Sequence, residues 1–181
     1  MLLSVAGASG LAPADAGAAT ALVAQAAAAK PTLRGQQGNY NASVFVAVPA
    51  KRAWAVLVNY EAMAGVMPDI KEAKVLRRTG SVVEVQQTYQ APYTFGRRIK
   101  AVLSMRETPP RQLSYELVRG DQIRELSGTW TITPVAGGVQ LRHQIRVDPE
   151  VPSFVRPLYF ELMETNLRQS MTIVKRLMEQ G

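Results

Sequence analysis

Residues 153–180 constrain the fold more than any other part of this chain. They run without an internal glycine, and their only proline, Pro157, stands in the first turn, where a missing backbone N–H costs little. Pro149 and Pro152 precede the stretch and Gly181 follows it, which predicts one long helix with defined ends. Phe160, Met163, Leu167, Met171, Val174 and Met178 recur at spacings of three and four, so they share one face. Leu158, Leu162 and Ile173 widen that stripe. Glu161, Glu164, Arg168, Lys175 and Glu179 take the other side, with Glu164 and Arg168 four apart and placed to pair. A stripe this broad needs an equally broad apolar partner.

The preceding sequence supplies one as strands. Residues 40–48 alternate Val44, Val46 and Val48 against Ser43, Phe45 and Ala47, and Pro49 stops them. Two short helices follow, over 51–59 and 60–68. Six more strands are predicted at 73–78, 82–90, 97–107, 112–119, 123–133 and 139–148. Thr79-Gly80, Ala91-Pro92, Pro109-Pro110, Gly120-Asp121 and Gly137-Gly138 mark the breaks between them. Spacing this close favours an antiparallel meander over crossover units. The expected architecture is α+β: a curved antiparallel sheet of about seven strands wrapped around a long C-terminal helix, with two short helices after the first strand.

Strand parity selects the inner face. It carries Val83, Val85, Gln87 and Tyr89, then Ile99, Ala101, Leu103 and Met105, then Leu113, Tyr115 and Leu117. Arg124, Leu126, Gly128, Trp130 and Ile132 follow, and last Val139, Leu141, His143, Ile145 and Val147. A curved sheet cannot touch one helix across its whole width, so the gap is either filled by side chains or left as an apolar cavity.

Residues 1–38 form a different region, an Ala/Gly-rich lead-in with 13 alanines in the first 30 residues and no Lys or Arg before Lys30. Leu2-Leu3-Ser4-Val5 and Ala21-Leu22-Val23 are short apolar patches, and Ala26-Ala27-Ala28 resembles a signal-peptidase site. The positive n-region of a secretory signal is missing, and Asp15 interrupts the middle. The segment reads as a tail or a signal-like leader, with a helix expected around 18–29. A cytoplasmic or membrane-peripheral location is favoured over export. Residues 39–181 read as one domain, and a hydrophobic content of 47% is enough to build its core.

Charge and motif content limit the chemistry. The net charge of +7 favours anionic partners, either a membrane surface or, less favoured, ribosome or RNA. Arg98, Lys100, Arg106, Arg142 and Arg146 fall on outward parity, and Arg77, Arg78 and Arg97 add to them. The chain has no cysteine and one histidine, too few for the common zinc sites. No phosphate loop or dinucleotide fingerprint appears, so neither a cofactor nor a metal is expected.

Three segments carry a family resemblance. Val48-Pro49-Ala50 leads to Trp54; Asn59-Tyr60-Glu61 leads through Met67-Pro68-Asp69-Ile70 to Val75-Leu76. Gly128-Thr129-Trp130-Thr131-Ile132 and Gly137-Gly138-Val139 lead through Asp148-Pro149-Glu150-Val151-Pro152 into the helix. In this order they resemble the START-like helix-grip (SRPBCC) superfamily, and within it the polyketide cyclase/dehydrase and coenzyme Q-binding group. The resemblance implies a cavity between sheet and helix that holds a quinone, lipid or other hydrophobic molecule. Most such proteins bind and carry, and some catalyse.

The candidate ligand-binding set is Met63 and Met67 of the second short helix, Gln87, Tyr89, Leu103, Tyr115, Arg124, Trp130 and His143 of the sheet, and Met163, Leu167 and Met171 of the long helix. The methionines suit an adaptable apolar wall. Gln87, Tyr115, Arg124 and His143 are the polar groups on inward parity. They could orient an apolar ligand, although for Arg124 a place at the sheet edge with its head in water is favoured. His143 could bind a carbonyl oxygen, act as an acid/base, or be satisfied within the core. Three functions remain open at this point: a carrier of a hydrophobic small molecule, an aromatase/cyclase-type enzyme, and a ribosome- or RNA-associated regulator.

Overall fold

Alternating side chains build one antiparallel sheet of eight strands. A computed structural model of the chain describes residues 30–180, together with six isolated positions between 17 and 28 that are helical and exposed. The rest of the Ala/Gly-rich lead-in, including Ala26 and Ala27 of the expected cleavage site, lies outside the described residues. The strands are β1 (Thr32–Gln36), β2 (Asn39–Val46), β3 (Ile70–Thr79), β4 (Val82–Tyr89), β5 (Ile99–Thr108), β6 (Gln112–Gly120), β7 (Ile123–Val135) and β8 (Gly138–Pro149). The helices are α1 (Ala50–Leu57), α2 (Tyr60–Met63) and α3 (Arg156–Gln180), with single 3-10 turns at Pro92–Thr94 and Ser153–Val155.

The strand order is β1-β2-β8-β7-β6-β5-β4-β3. From β3 to β8 the chain is a meander, as the turn signals require. The helices α1 and α2 carry it from β2 across to the far edge, so β2 pairs with β8 instead of β3. One strand escaped the sequence reading. Thr32–Gln36 falls in the expected tail yet forms a hairpin with β2, with Thr32 opposite Ser43. Its pattern is almost wholly exposed, so period-two burial left no trace in the sequence. The turn that closes this hairpin needs Gly38. Its φ is +90°, and a Cβ there would meet the Val147 carbonyl oxygen and, at 3.2 Å, the Phe160 ring.

The long helix forms as expected, except that its first three residues are a 3-10 turn. The stripe residues Phe160, Met163, Leu167, Met171, Val174 and Met178 are all buried. Among the described residues the expected Glu164–Arg168 ion pair is not formed; on this helix the pair four apart is Lys175–Glu179, at 2.7 Å. Lys175 Nζ also donates to the Phe45 carbonyl (2.8 Å), and Arg52 Nε donates to the Met178 carbonyl (3.0 Å). These contacts fasten the C-terminal half of α3 to β2 and α1. Arg156, paired with Asp148 at 2.7 Å, fastens its start to β8. The helix is therefore anchored at one side of the sheet and at α1. The concave face of β4 to β8 is left to enclose a space. Among the described residues no helix is long and apolar enough to cross a membrane.

Candidate functional site

A cavity of about 750 Å³ lies between α3 and the concave face of the sheet. Ten of the twelve expected residues stand on its wall. Met63 and Met67 come from α2 and the loop after it, and Gln87 and Tyr89 from β4. Leu103, Tyr115, Trp130 and His143 come one each from β5 to β8, and Met163 and Leu167 from α3. Met171 is only 1% exposed and packs in the core without joining the wall.

Arg124 does not reach the wall either. A bulge between Ile123 and Glu125, where β7 pairs with β8, shifts the alternation by one residue. Ile123 takes the place on the cavity wall, and the Arg124 side chain lies 60% exposed between Asp148 (3.9 Å) and Glu150 (3.7 Å). Parity counted back from Leu126 fails at this point because a bulge leaves no fixed mark in sequence.

The centre of the wall is a stack of rings. Trp130 and His143 are direct cross-strand partners, and their rings lie parallel at 3.8 Å and 5°. Tyr115 sits opposite Gly128, which has no side chain, and so its ring crosses β7 to reach β8. Its hydroxyl shares a 2.8 Å hydrogen bond with His143 Nε2. Burial pushes the His143 pKa down to about 3, so the imidazole is neutral at physiological pH. Burial also raises Tyr115 well above the ordinary phenol range, with the Asp69 charge adding to the effect. With both groups neutral, the tautomer sets the direction: the Tyr115 hydroxyl donates when the imidazole proton is on Nδ1, and Nε2–H donates to the hydroxyl oxygen when it is on Nε2. Gln87 accepts a hydrogen bond from the Tyr89 hydroxyl.

A second polar group was not singled out from the sequence. Asp69, in the bend immediately before β3, lines the cavity beside Tyr93, Asn166 and Ser170. The Tyr93 hydroxyl donates to Asp69 Oδ2 at 3.0 Å. Burial holds the Asp69 carboxyl above its usual range, against the opposing pull of the Tyr93 hydroxyl, its own backbone, the Asn166 carboxamide and Lys71. The signal for two of these residues was present: Asn166 and Ser170 are four apart and flank Leu167 on the buried side of α3. Small neutral polar residues at that spacing on a buried face need partners.

The mouth is ringed by Phe95, Phe154 and Leu158, which are 48%, 84% and 49% exposed, with Arg97 and Glu150 beside them. On the outer face Arg98, Lys100, Arg106, Arg142 and Arg146 are exposed as expected. Carboxylates interleave with this basic surface: Arg98 pairs with Glu72 (3.5 Å), Arg146 with Glu125 (3.0 Å) and Arg77 with Glu84 (2.7 Å). Among the described residues no three His, Asp or Glu side chains converge as metal ligands would.

Comparison with known proteins agrees with this geometry. A family model described as polyketide cyclase / dehydrase and lipid transport matches residues 37–179. Among solved structures, TTHA0849 from Thermus thermophilus superposes with a TM-score of 0.68 at 15% identity, covering 76% of this chain and 94% of that one. The Zhui aromatase/cyclase from Streptomyces sp. R1128 superposes at 0.63 with 15% identity, over 81% and 92%. The STAR-related lipid transfer protein fragment from Xanthomonas axonopodis does so at 0.62 with 19% identity, over 81% and 90%. At such identities these structures establish the helix-grip fold. A search of curated proteins returns no match.

Proposed function

Because the chain belongs to the polyketide cyclase/dehydrase and lipid-transport family, whose model spans residues 37–179, we propose that it is a carrier that shelters a hydrophobic small molecule such as a quinone or lipid. The observation that carries this reading is the cavity itself. A volume of about 750 Å³ lies within the range of small-molecule sites, and its wall is apolar with a few convergent polar groups. His143, Tyr115 and Gln87 are placed to orient a polar end, while Leu103, Met163 and Leu167 enclose the rest. Phe95, Phe154 and Leu158 put exposed apolar surface at the rim of the cavity, where a hydrophobic ligand could first make contact.

A cyclase-type reaction is the second reading, favoured by the Tyr115–His143 hydrogen bond on the cavity wall. Against it, an imidazole with a pKa near 3 is a weak general base at neutral pH. Among the described residues no nucleophile stands in hydrogen-bond contact with it apart from the tyrosine hydroxyl it already holds. A ribosome- or RNA-directed role has least support, since carboxylates break up the outer basic face.

Native mass spectrometry of the purified protein, followed by solvent extraction, tests the carrier reading. A retained apolar molecule supports it. Protein that is empty and also fails to bind quinones or lipids on titration removes it.

A further inference from the structure

Two oxygens on the cavity wall have no hydrogen-bond partner among the described residues: Asp69 Oδ1 and Ser170 Oγ. Both are shut off from solvent, where an unpaired polar group is costly. Ser170 is 6% exposed and does not use the usual outlet for a helical hydroxyl. Thr165 and Thr172 on the same helix donate back to the carbonyls of Glu161 and Arg168, at 3.2 and 3.0 Å, whereas Ser170 makes no such bond. Asp69 has one oxygen engaged by Tyr93 and the other left over. Asn166, which interacts with Asp69, lies one turn before Ser170 on α3, so the groups form one polar pole of the cavity.

From these free oxygens we infer that the pole at Asp69 and Ser170 binds the hydroxyl group of a hydrophobic ligand, so that the protein selects alcohols, phenols or hydroquinones over their ethers and over plain hydrocarbon. This rests on the carrier reading and specifies the ligand class. The chemistry follows from donor and acceptor counts. A hydroxyl both donates and accepts, so it satisfies a carboxylate, a carboxylic acid or a serine hydroxyl. An ether cannot donate, and a methyl group can do neither. A buried site arranged to bond a hydroxyl discriminates strongly against the analogue that lacks it, because its own polar groups are then left unpaired. Neither oxygen is open to a water-sized group with the walls as they stand. Binding therefore includes a small side-chain adjustment, as is common at binding surfaces.

The test uses the full chain and a neutral fluorescent probe, N-phenyl-1-naphthylamine, displaced by 4-octylphenol and by its methyl ether, 4-octylanisole. The wild-type protein is expected to favour the phenol by about tenfold or more. In Ser170→Ala and in Asp69→Ala the preference should fall to within about threefold while the probe still binds, each variant losing one partner of the hydroxyl. Ser170→Ala decides the matter alone if Asp69→Ala does not fold. Equal displacement by phenol and ether in the wild type, or a preference unchanged in the folded variants, overturns the inference and leaves the carrier reading standing. Failure of the probe and both competitors to bind at all overturns the carrier reading and this inference together.

Discussion

The Trp130 indole lies flat on the His143 imidazole, ring centroids 3.8 Å apart and planes within 5°. This cover, with Tyr115 on Nε2, shuts the chain's single histidine from water and keeps it neutral. In protein freed of any tag, one imidazole signal is therefore expected by NMR. It should keep its neutral chemical shifts down to about pH 4, because its pKa is held near 3. Trp130→Leu should move the titration toward the ordinary value of 6.5. A wild-type midpoint near 6.5 would contradict the buried pair.

The same burial sets a pH dependence of stability. His143 has a folded pKa of about 3 against 6.5 when unfolded, so the unfolded chain binds more protons between those limits. Stability is present in full above about pH 6.5 and declines as the pH falls, by at most about 1.4 kcal/mol per pH unit from this one group. Asp69 acts in the opposite sense. Its carboxyl is raised, so its contribution is present at low pH and is lost as the pH rises through its folded pKa. His143→Gln removes the first effect and keeps the second. Urea unfolding at pH 7 and pH 4.5 should show a smaller loss for the variant than for the wild type.

Much of this arrangement was legible in the sequence. The spacing of Phe160, Met163, Leu167, Met171, Val174 and Met178 located the buried face of α3, and strand parity placed Gln87, Tyr115, Trp130 and His143 on the cavity wall. What the sequence did not carry was irregularity. The bulge at Ile123/Glu125 took Arg124 off the inner face that parity gave it and left its head in water, as the edge reading had it, and no residue type marks a bulge reliably. Strand β1 has no buried alternation to detect. Asp69 and Tyr93 lie in a bend before β3 and in a 3-10 turn, where no period applies, and only the assembled fold brings them together.

Gly128 makes room for Tyr115. A Cβ at this position would overlap the Tyr115 hydroxyl and come within 2.6 Å of its Cζ and 2.5 Å of the Gln144 carbonyl oxygen. Gly128→Ala should push the tyrosine ring off β7, break its bond to His143, and destabilise the protein by about 1–3 kcal/mol. Urea unfolding, together with a shift of the imidazole signal, checks both consequences. A variant as stable as wild type with the signal unmoved would show that the ring is not seated there.

Phe154 should matter for passage and not for folding. Its side chain is 84% exposed at the mouth, so Phe154→Ser is expected to change stability by no more than about 0.5 kcal/mol. If Phe154 stands in the entry route, its removal should change the uptake and release rates of N-phenyl-1-naphthylamine together, measured by stopped-flow fluorescence. Unchanged rates would place the entry route elsewhere.

The most direct test of the central claim is whether an apolar molecule occupies the space between α3 and the sheet. Ile145 lines that space from β8, and Ile145→Trp would fill part of it from a rigid strand. Titration with N-phenyl-1-naphthylamine should show one saturable site in the wild type. In the variant, with circular dichroism unchanged, binding should be about tenfold weaker or worse, the equivalent of roughly 1.4 kcal/mol. Equal binding by both proteins would mean that the ligand does not enter the cavity, and the carrier account would fail.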